Sequence, residues 1–191
     1  MKRIKIFGAG GGGRNVALYM QQNSVVDADY CMVCSGFCPS EHSVIEHICL
    51  FGEQQYISHN SYEKGNYFIY NLSTDKNFQK IEKSLMETPE LMVIIVGLSG
   101  RSGGCITEMI SEVAQKKNIR TIIVATLPYK FEGAKRMMKA YQQLDRINQL
   151  ELPIHVIPAE SVFEKYPNTD IYSSFPNLDK VVSDFIKSVV A

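Results

Sequence analysis

Residues 96–113, VGLSGRSGGCITEMISEV, limit the possible folds more than any other stretch. They follow an apolar run, residues 91–96, that reads as a strand buried on both faces of a parallel sheet. Four glycines in eight residues come next: Gly97, Gly100, Gly103 and Gly104. Ile106, Met109, Ile110 and Val113 then fall on one face of a helix. Such a strand, glycine turn and helix N-terminus make an anion site, because glycine lets backbone N–H groups approach closely and the helix adds partial positive charge. The same residues equally make a tight strand-to-helix turn with no ligand.

A second unit of this kind opens the chain. Residues 3–7 read as a strand, Gly8, Gly10, Gly11, Gly12 and Gly13 as a turn, and residues 14–22 as a helix. GAGGGG satisfies the dinucleotide fingerprint, which also requires an acidic ribose ligand about twenty residues on. The next strand, residues 30–34, ends in Ser35 and Gly36, so a nicotinamide or flavin dinucleotide is the weaker reading. Further strands are expected at 47–51, 54–58, 66–71, 118–126 and 153–157, and helices at 75–87, 132–149 and 176–190. Thr74 or Asp75 caps the first of these helices. Strands alternating with helices define a doubly wound α/β fold with a mainly parallel sheet, whose ligands lie at the carboxyl ends of the strands.

The formal net charge of +0 gives no field for nucleic acid, and no apolar run approaches the length of a membrane span. The N-terminus reads as a charged start and a short strand rather than a leader, so the expected compartment is the cytoplasm. Five cysteines without a leader argue for reduced thiols. Cys31, Cys34 and Cys38 form C-x2-C-x3-C, but on a strand the odd spacing puts Cys31 and Cys34 on opposite faces, so they read as small buried hydrophobes rather than metal ligands. His42, His47 and His59 suggest a metal cluster by residue type alone and read as surface or hydrogen-bonded histidines.

Taken together, GAGGGGRN (8–15), GLSGRSGGC (97–105) and LPYKFEGAKR (127–136) resemble, in order, the first phosphate loop, the glycine-rich signature and the KPFxFEGxxR segment of the FtsZ/tubulin family, FtsZ in particular. The resemblance implies a GTP- or GDP-binding domain with a Rossmann-like sheet, with Mg2+ accompanying GTP. Gly10, Gly11, Gly12 and Asn15 would serve the first loop, and Gly97, Gly100, Arg101, Ser102 and Gly103 the second. Glu132 and Arg136, expected on one helix face, would hold the sugar side. Phe175 would stack on the base and Asp179 accept its N–H donors, which guanine offers and adenine lacks. Without the resemblance, Phe175 is a core residue at a helix entry and Asp179 an N-terminal acid facing the helix dipole.

The departures carry as much weight. Ser99, Arg101, Gly104 and Cys105 break the signature, and Arg101 is placed either to clamp a phosphate or to obstruct backbone approach. Ser102 keeps the hydroxyl of the family's threonine, and Ala159 replaces an asparagine that helps hold the base. The loop that senses the terminal phosphate has no counterpart between residues 60 and 70. The similarity ends with the last helix, so the expectation is one nucleotide-binding domain over residues 1–191, without the family's NxDxxD catalytic loop or C-terminal domain. That implies no catalytic or metal-ligating residue of its own, little intrinsic GTPase and no classical filament. A full-length relative is then the expected protein partner. The other reading is a non-enzymatic regulator or cap of such a polymer with a vestigial nucleotide site.

Overall fold

The computed structural model of the protein describes residues 3–36, 45–57 and 67–190. Six strands form one wholly parallel sheet in the order β3-β2-β1-β6-β7-β8. They are β1 (Ile4–Ala9), β2 (Asp29–Ser35), β3 (Glu46–Leu50), β6 (Leu91–Gly97), β7 (Thr121–Leu127) and β8 (Ile154–Pro158). The doubly wound reading is therefore correct, with one addition. Strands β4 (Glu53–Ile57) and β5 (Tyr67–Asn71) pair antiparallel with each other and form a separate two-stranded sheet. His42, His59, Cys38 and residues 60–66 lie outside the described residues.

The central strands bury alternate side chains on opposite faces, as a period of two requires. Phe7, Met92, Ile94 and Val96 face a core shared with Ile81, Ile106, Ile110 and Ala140. These come from α2 (Asp75–Ser84), α3 (Gly103–Lys116) and α4 (Ala134–Asn148). Ile4, Ile6, Val93 and Ile95 face a second core with Val16, Met20, Val182 and Ile186. These helical residues belong to α1 (Gly10–Gln22) and α6 (Ile171–Val190). A short helix, α5 (Ser161–Lys165), precedes α6 and escapes sequence reading. Cys31 is fully buried in the first core and Cys34 half-buried. Burial pushes the Cys31 thiol well above its ordinary range. No helix among the described residues is long and apolar enough to cross a membrane.

Several boundaries differ from expectation. Helix α1 begins at Gly10, not Arg14. Glycine is a poor helix former, but here its missing side chain lets α1 lie against the strands: a Cβ on Gly13 would stand 2.0 Å from the Ile95 carbonyl oxygen. Helix α4 begins at Ala134, because Gly133, at φ +96°, separates it from a 3-10 turn over Lys130–Glu132. Strand β7 begins at Thr121 rather than Asn118. Helix α6 begins at Ile171 and runs through Pro176. The Asp170 carboxylate accepts from the Ser173 N–H at 2.8 Å and from its hydroxyl at 3.0 Å, which caps that end. These bonds hold the Asp170 carboxyl below its usual range.

A candidate nucleotide site at the carboxyl edge of the sheet

The first turns of α1 and α3 meet where β1 and β6 end. A Cβ on Gly10 (φ +68°) would lie 3.0 Å from Gly103 Cα, and one on Gly12 would lie 3.0 Å from Gly97 Cα. The glycines thus bring two backbones into contact. Among the glycines of the two loops, only at Gly11 does a Cβ meet nothing within 4 Å. Neither helix has a side-chain cap or an acidic residue in its first turn. Helix α2 differs: the Thr74 hydroxyl accepts from the Asn77 N–H at 3.4 Å. Two uncapped N-termini therefore converge with first-turn N–H groups that lack intrahelical partners.

A cavity of about 310 Å³ opens at this point, of the size of small-ligand pockets. Of the residues named from sequence, Gly11, Gly12 and Asn15 line it from α1, and Gly97, Gly100, Arg101, Ser102 and Gly103 from the second glycine segment. Glu132, Arg136, Phe175 and Asp179 line it as well. Gly10 does not line it and acts as a backbone contact. The cavity continues over β7 along Thr126, Leu127 and Ala159, and among the described residues nothing from the end of β2 lines it. A dinucleotide fingerprint would send its ribose toward β2.

Glu132 and Arg136 are not on one helix, since Gly133 divides them. They pair with each other at 2.8 Å. Glu132 also accepts from the Tyr129 N–H at 2.9 Å, and Arg136 donates to the Ser99 hydroxyl at 3.2 Å.

At the far end, the buried Tyr129 hydroxyl donates to the Ser174 carbonyl at 2.8 Å and so ties β7 to the first turn of α6. The Phe175 ring stands edge-on to Tyr129 at 5.3 Å and to Phe131 at 6.3 Å, yet Phe175 remains 46% exposed. It is a rim residue, not core. Asp179 sits in the third turn of α6, too far along to serve the helix dipole. Its half-buried carboxyl has no hydrogen bond or ion pair among the described residues, and desolvation pushes it up to about 7.

Sequence reading missed the residue that shapes the second loop. The buried Gln143 of α4 accepts from the Ser99 N–H at 2.6 Å and donates to the Gly100 carbonyl at 2.9 Å. Ser99 has φ +75°, a strained value for serine, and the Leu98 N–H donates to the Thr126 carbonyl at 3.0 Å. Gln143 looks like one more polar residue on an amphipathic helix, and only the crossing of α4 behind the loop reveals it. Gln143→Leu should destabilise the protein by about 1–3 kcal/mol, because it orphans a buried N–H. A urea melt measures this, and an unchanged midpoint would mean that the loop holds its shape unaided.

Fold and cavity together define a parallel α/β domain with a ligand pocket at its topological switch point. The chain belongs to the tubulin/FtsZ family: residues 3–166 match the Tubulin/FtsZ family, GTPase domain. It is 24% identical over 188 residues to cell division protein FtsZ 1 of Methanocaldococcus jannaschii, covering 98% of this chain and 51% of that protein. It is 24% identical over 190 residues to cell division protein FtsZ of Aquifex aeolicus, covering 99% of this chain and 51% of that protein. The chain thus spans about half the length of these relatives. Its fold is that of a M. jannaschii FtsZ dimer structure (TM-score 0.74, 21% identity, all of this chain and 55% of that one). It is also that of Haloferax volcanii CetZ2, solved as a GTPγS-bound protofilament (TM-score 0.68, 14% identity, 98% of this chain and 57% of that one).

Proposed function

We infer that the protein binds GDP or GTP in this cavity, as an FtsZ-like protein with little intrinsic GTPase activity. The observation that carries the reading is the polarity of the pocket. Two uncapped helix N-termini meet at one end, and an unpaired, half-buried carboxyl stands beside an exposed ring at the other. A phosphate chain fits the first end, where N–H groups and helix dipoles accept anions. A base presenting two N–H donors fits the second, because it satisfies a carboxylate that has no protein partner. Mg2+ would accompany GTP by bridging phosphates with mostly water ligands. Family membership supports the reading, as does the nucleotide in the CetZ2 relative.

Low turnover follows from what lines the glycine end. Among the described residues there, from Gly11 to Asn15 and from Gly97 to Gly103, no carboxylate or histidine stands ready to position a water. Glu132 is engaged by Arg136 and the Tyr129 N–H. Phosphoryl transfer depends on such positioning, so the missing group would come from a docked neighbour.

Isothermal titration of the purified protein with GDP, GTP, NAD and FAD tests the reading. Guanine nucleotides should bind, and binding of NAD or FAD instead would overturn it. GTP turnover should stay near background across a protein concentration series. A steep rise with concentration would show that copies of this chain complete each other's sites.

A further inference from the structure

We propose that Arg101 is the phosphate counter-ion of this pocket, its guanidinium clamping the distal phosphate of a bound nucleoside polyphosphate. The proposal rests on the nucleotide reading above and deepens it, because it assigns the residue that makes affinity depend on phosphate number.

Among the described residues, four side chains that carry formal charge line the cavity: Arg101, Glu132, Arg136 and Asp179. Glu132 and Arg136 neutralise each other at 2.8 Å. Asp179 stands on α6, one helical turn after Phe175. Among the described residues, Arg101 is therefore the lining cation without a carboxylate partner. It is exposed and makes no ion pair or hydrogen bond among the described residues. By contrast, Arg3, Arg136 and Arg146 each hold a carboxylate.

The loop that carries Arg101 is built to stay in place. Gln143 pins Ser99 and Gly100 from behind, Arg136 holds the Ser99 hydroxyl, and Leu98 is tied to β7. A strained residue such as Ser99, at φ +75°, persists only where its surroundings over-determine it. Gly104 leaves room for that clamp, since a Cβ there would press on the Gln143 side chain at 3.4 Å. The loop is thus held at Leu98, Ser99 and Gly100, while among the described residues no hydrogen bond or ion pair engages the Arg101 side chain, two residues before α3 begins at Gly103. A guanidinium presents a fixed fork of donors that matches two phosphate oxygens, and it gains most where helix N-termini already favour the anion.

The test is calorimetric titration of guanosine, GMP, GDP and GTP into the wild type, Arg101→Gln and Arg101→Lys. In the glutamine variant GDP and GTP should weaken by tenfold or more, GMP less, and guanosine less than twofold. The lysine variant, which keeps the charge but not the fork, should recover part of the loss. Unchanged melting curves are expected, because Arg101 supports no contact of the fold. An equal loss for all four ligands, or none, would overturn the clamp while leaving the nucleotide site standing. Failure of the wild type to bind any phosphorylated ligand would overturn the nucleotide reading and the clamp with it.

Discussion

Replacing Asp179 with alanine should weaken GDP by tens of fold and leave ADP almost unchanged. In the proposed nucleotide site the carboxylate would be the partner for two guanine N–H donors, and leaving such donors unpaired in a half-buried site costs about 1–3 kcal/mol. Adenine presents no such pair, so it loses nothing specific. The same group imposes a pH dependence. Desolvation lifts its carboxyl to about 7 when nothing is bound, and only the ionised form accepts both donors. Binding guanine must therefore expel a proton below pH 7, and GDP affinity should fall about tenfold from pH 8 to pH 6. ADP carries the same phosphates, so the ratio of the two affinities isolates the base end.

The sign for stability runs the other way. In the folded, empty protein the proton is held to about pH 7, whereas the unfolded chain releases it near the ordinary carboxylate value. Between those values the folded state binds more protons, so this group makes the empty protein less stable as pH rises from about 4 to about 7. Asp179→Asn should remove that decline and melt above the wild type at pH 8, while losing the guanine preference. A variant that loses GDP and ADP equally, or loses neither, would return Asp179 to a purely structural place on α6.

The second large effect divides the first glycine run by role. Gly13→Ala should destabilise the protein by about 4 kcal/mol or more, lowering the melting midpoint by about 10 °C or more. Its Cβ would stand 2.0 Å from the Ile95 carbonyl oxygen and 3.2 Å from the Gly8 carbonyl carbon, both backbone atoms of central strands. No rotamer change relieves such a clash; α1 would have to lift off the sheet. Gly11→Ala should behave oppositely. A Cβ there meets nothing within 4 Å, and alanine favours a helix over glycine. The variant should fold as well as the wild type, yet bind GDP more weakly, since its methyl group points into open space at the cavity wall. Paired thermal melts and titrations check both halves. A folded Gly13→Ala, or an unfolded Gly11→Ala, would mean that α1 does not sit on β6 as described.

The FtsZ relatives are named as cell division proteins. A role in division or in another polymer-based process is, for this chain, a proposal that follows nucleotide binding and not a property of the fold. A regulator that docks on such a polymer would present the same fold, and the titrations above separate it, since a vestigial site would bind no nucleotide.

How far the residues alone reach is clear from particular elements. Residues 91–97 are apolar at every position before the glycine, and a strand covered on both faces needs that composition wherever it sits, so β6 was legible. The apolar face of α3 and the Thr74 cap of α2 were legible because helical period and capping are local properties. Twelve of the thirteen named site residues line one cavity because the two glycine motifs and LPYKFEGAKR each mark the end of a strand, and parallel strands bring those ends to one edge.

What the tertiary structure decided was every feature that depends on two distant segments meeting. Gly10 packs its backbone on Gly103 and Gly13 on Ile95, because propensity reads a glycine run as a turn, whereas close packing of α1 on β1 and β6 makes it a helix. Asp170, six residues before Pro176, capped a helix that proline seemed to start, and this moved Asp179 out of reach of the dipole. Gln143 found its role only when α4 crossed behind the loop forty residues earlier in the chain. A residue's local preference is written in its neighbours along the chain; its desolvation and its hydrogen-bond partners are set by neighbours in space, and those exist only once the sheet has formed.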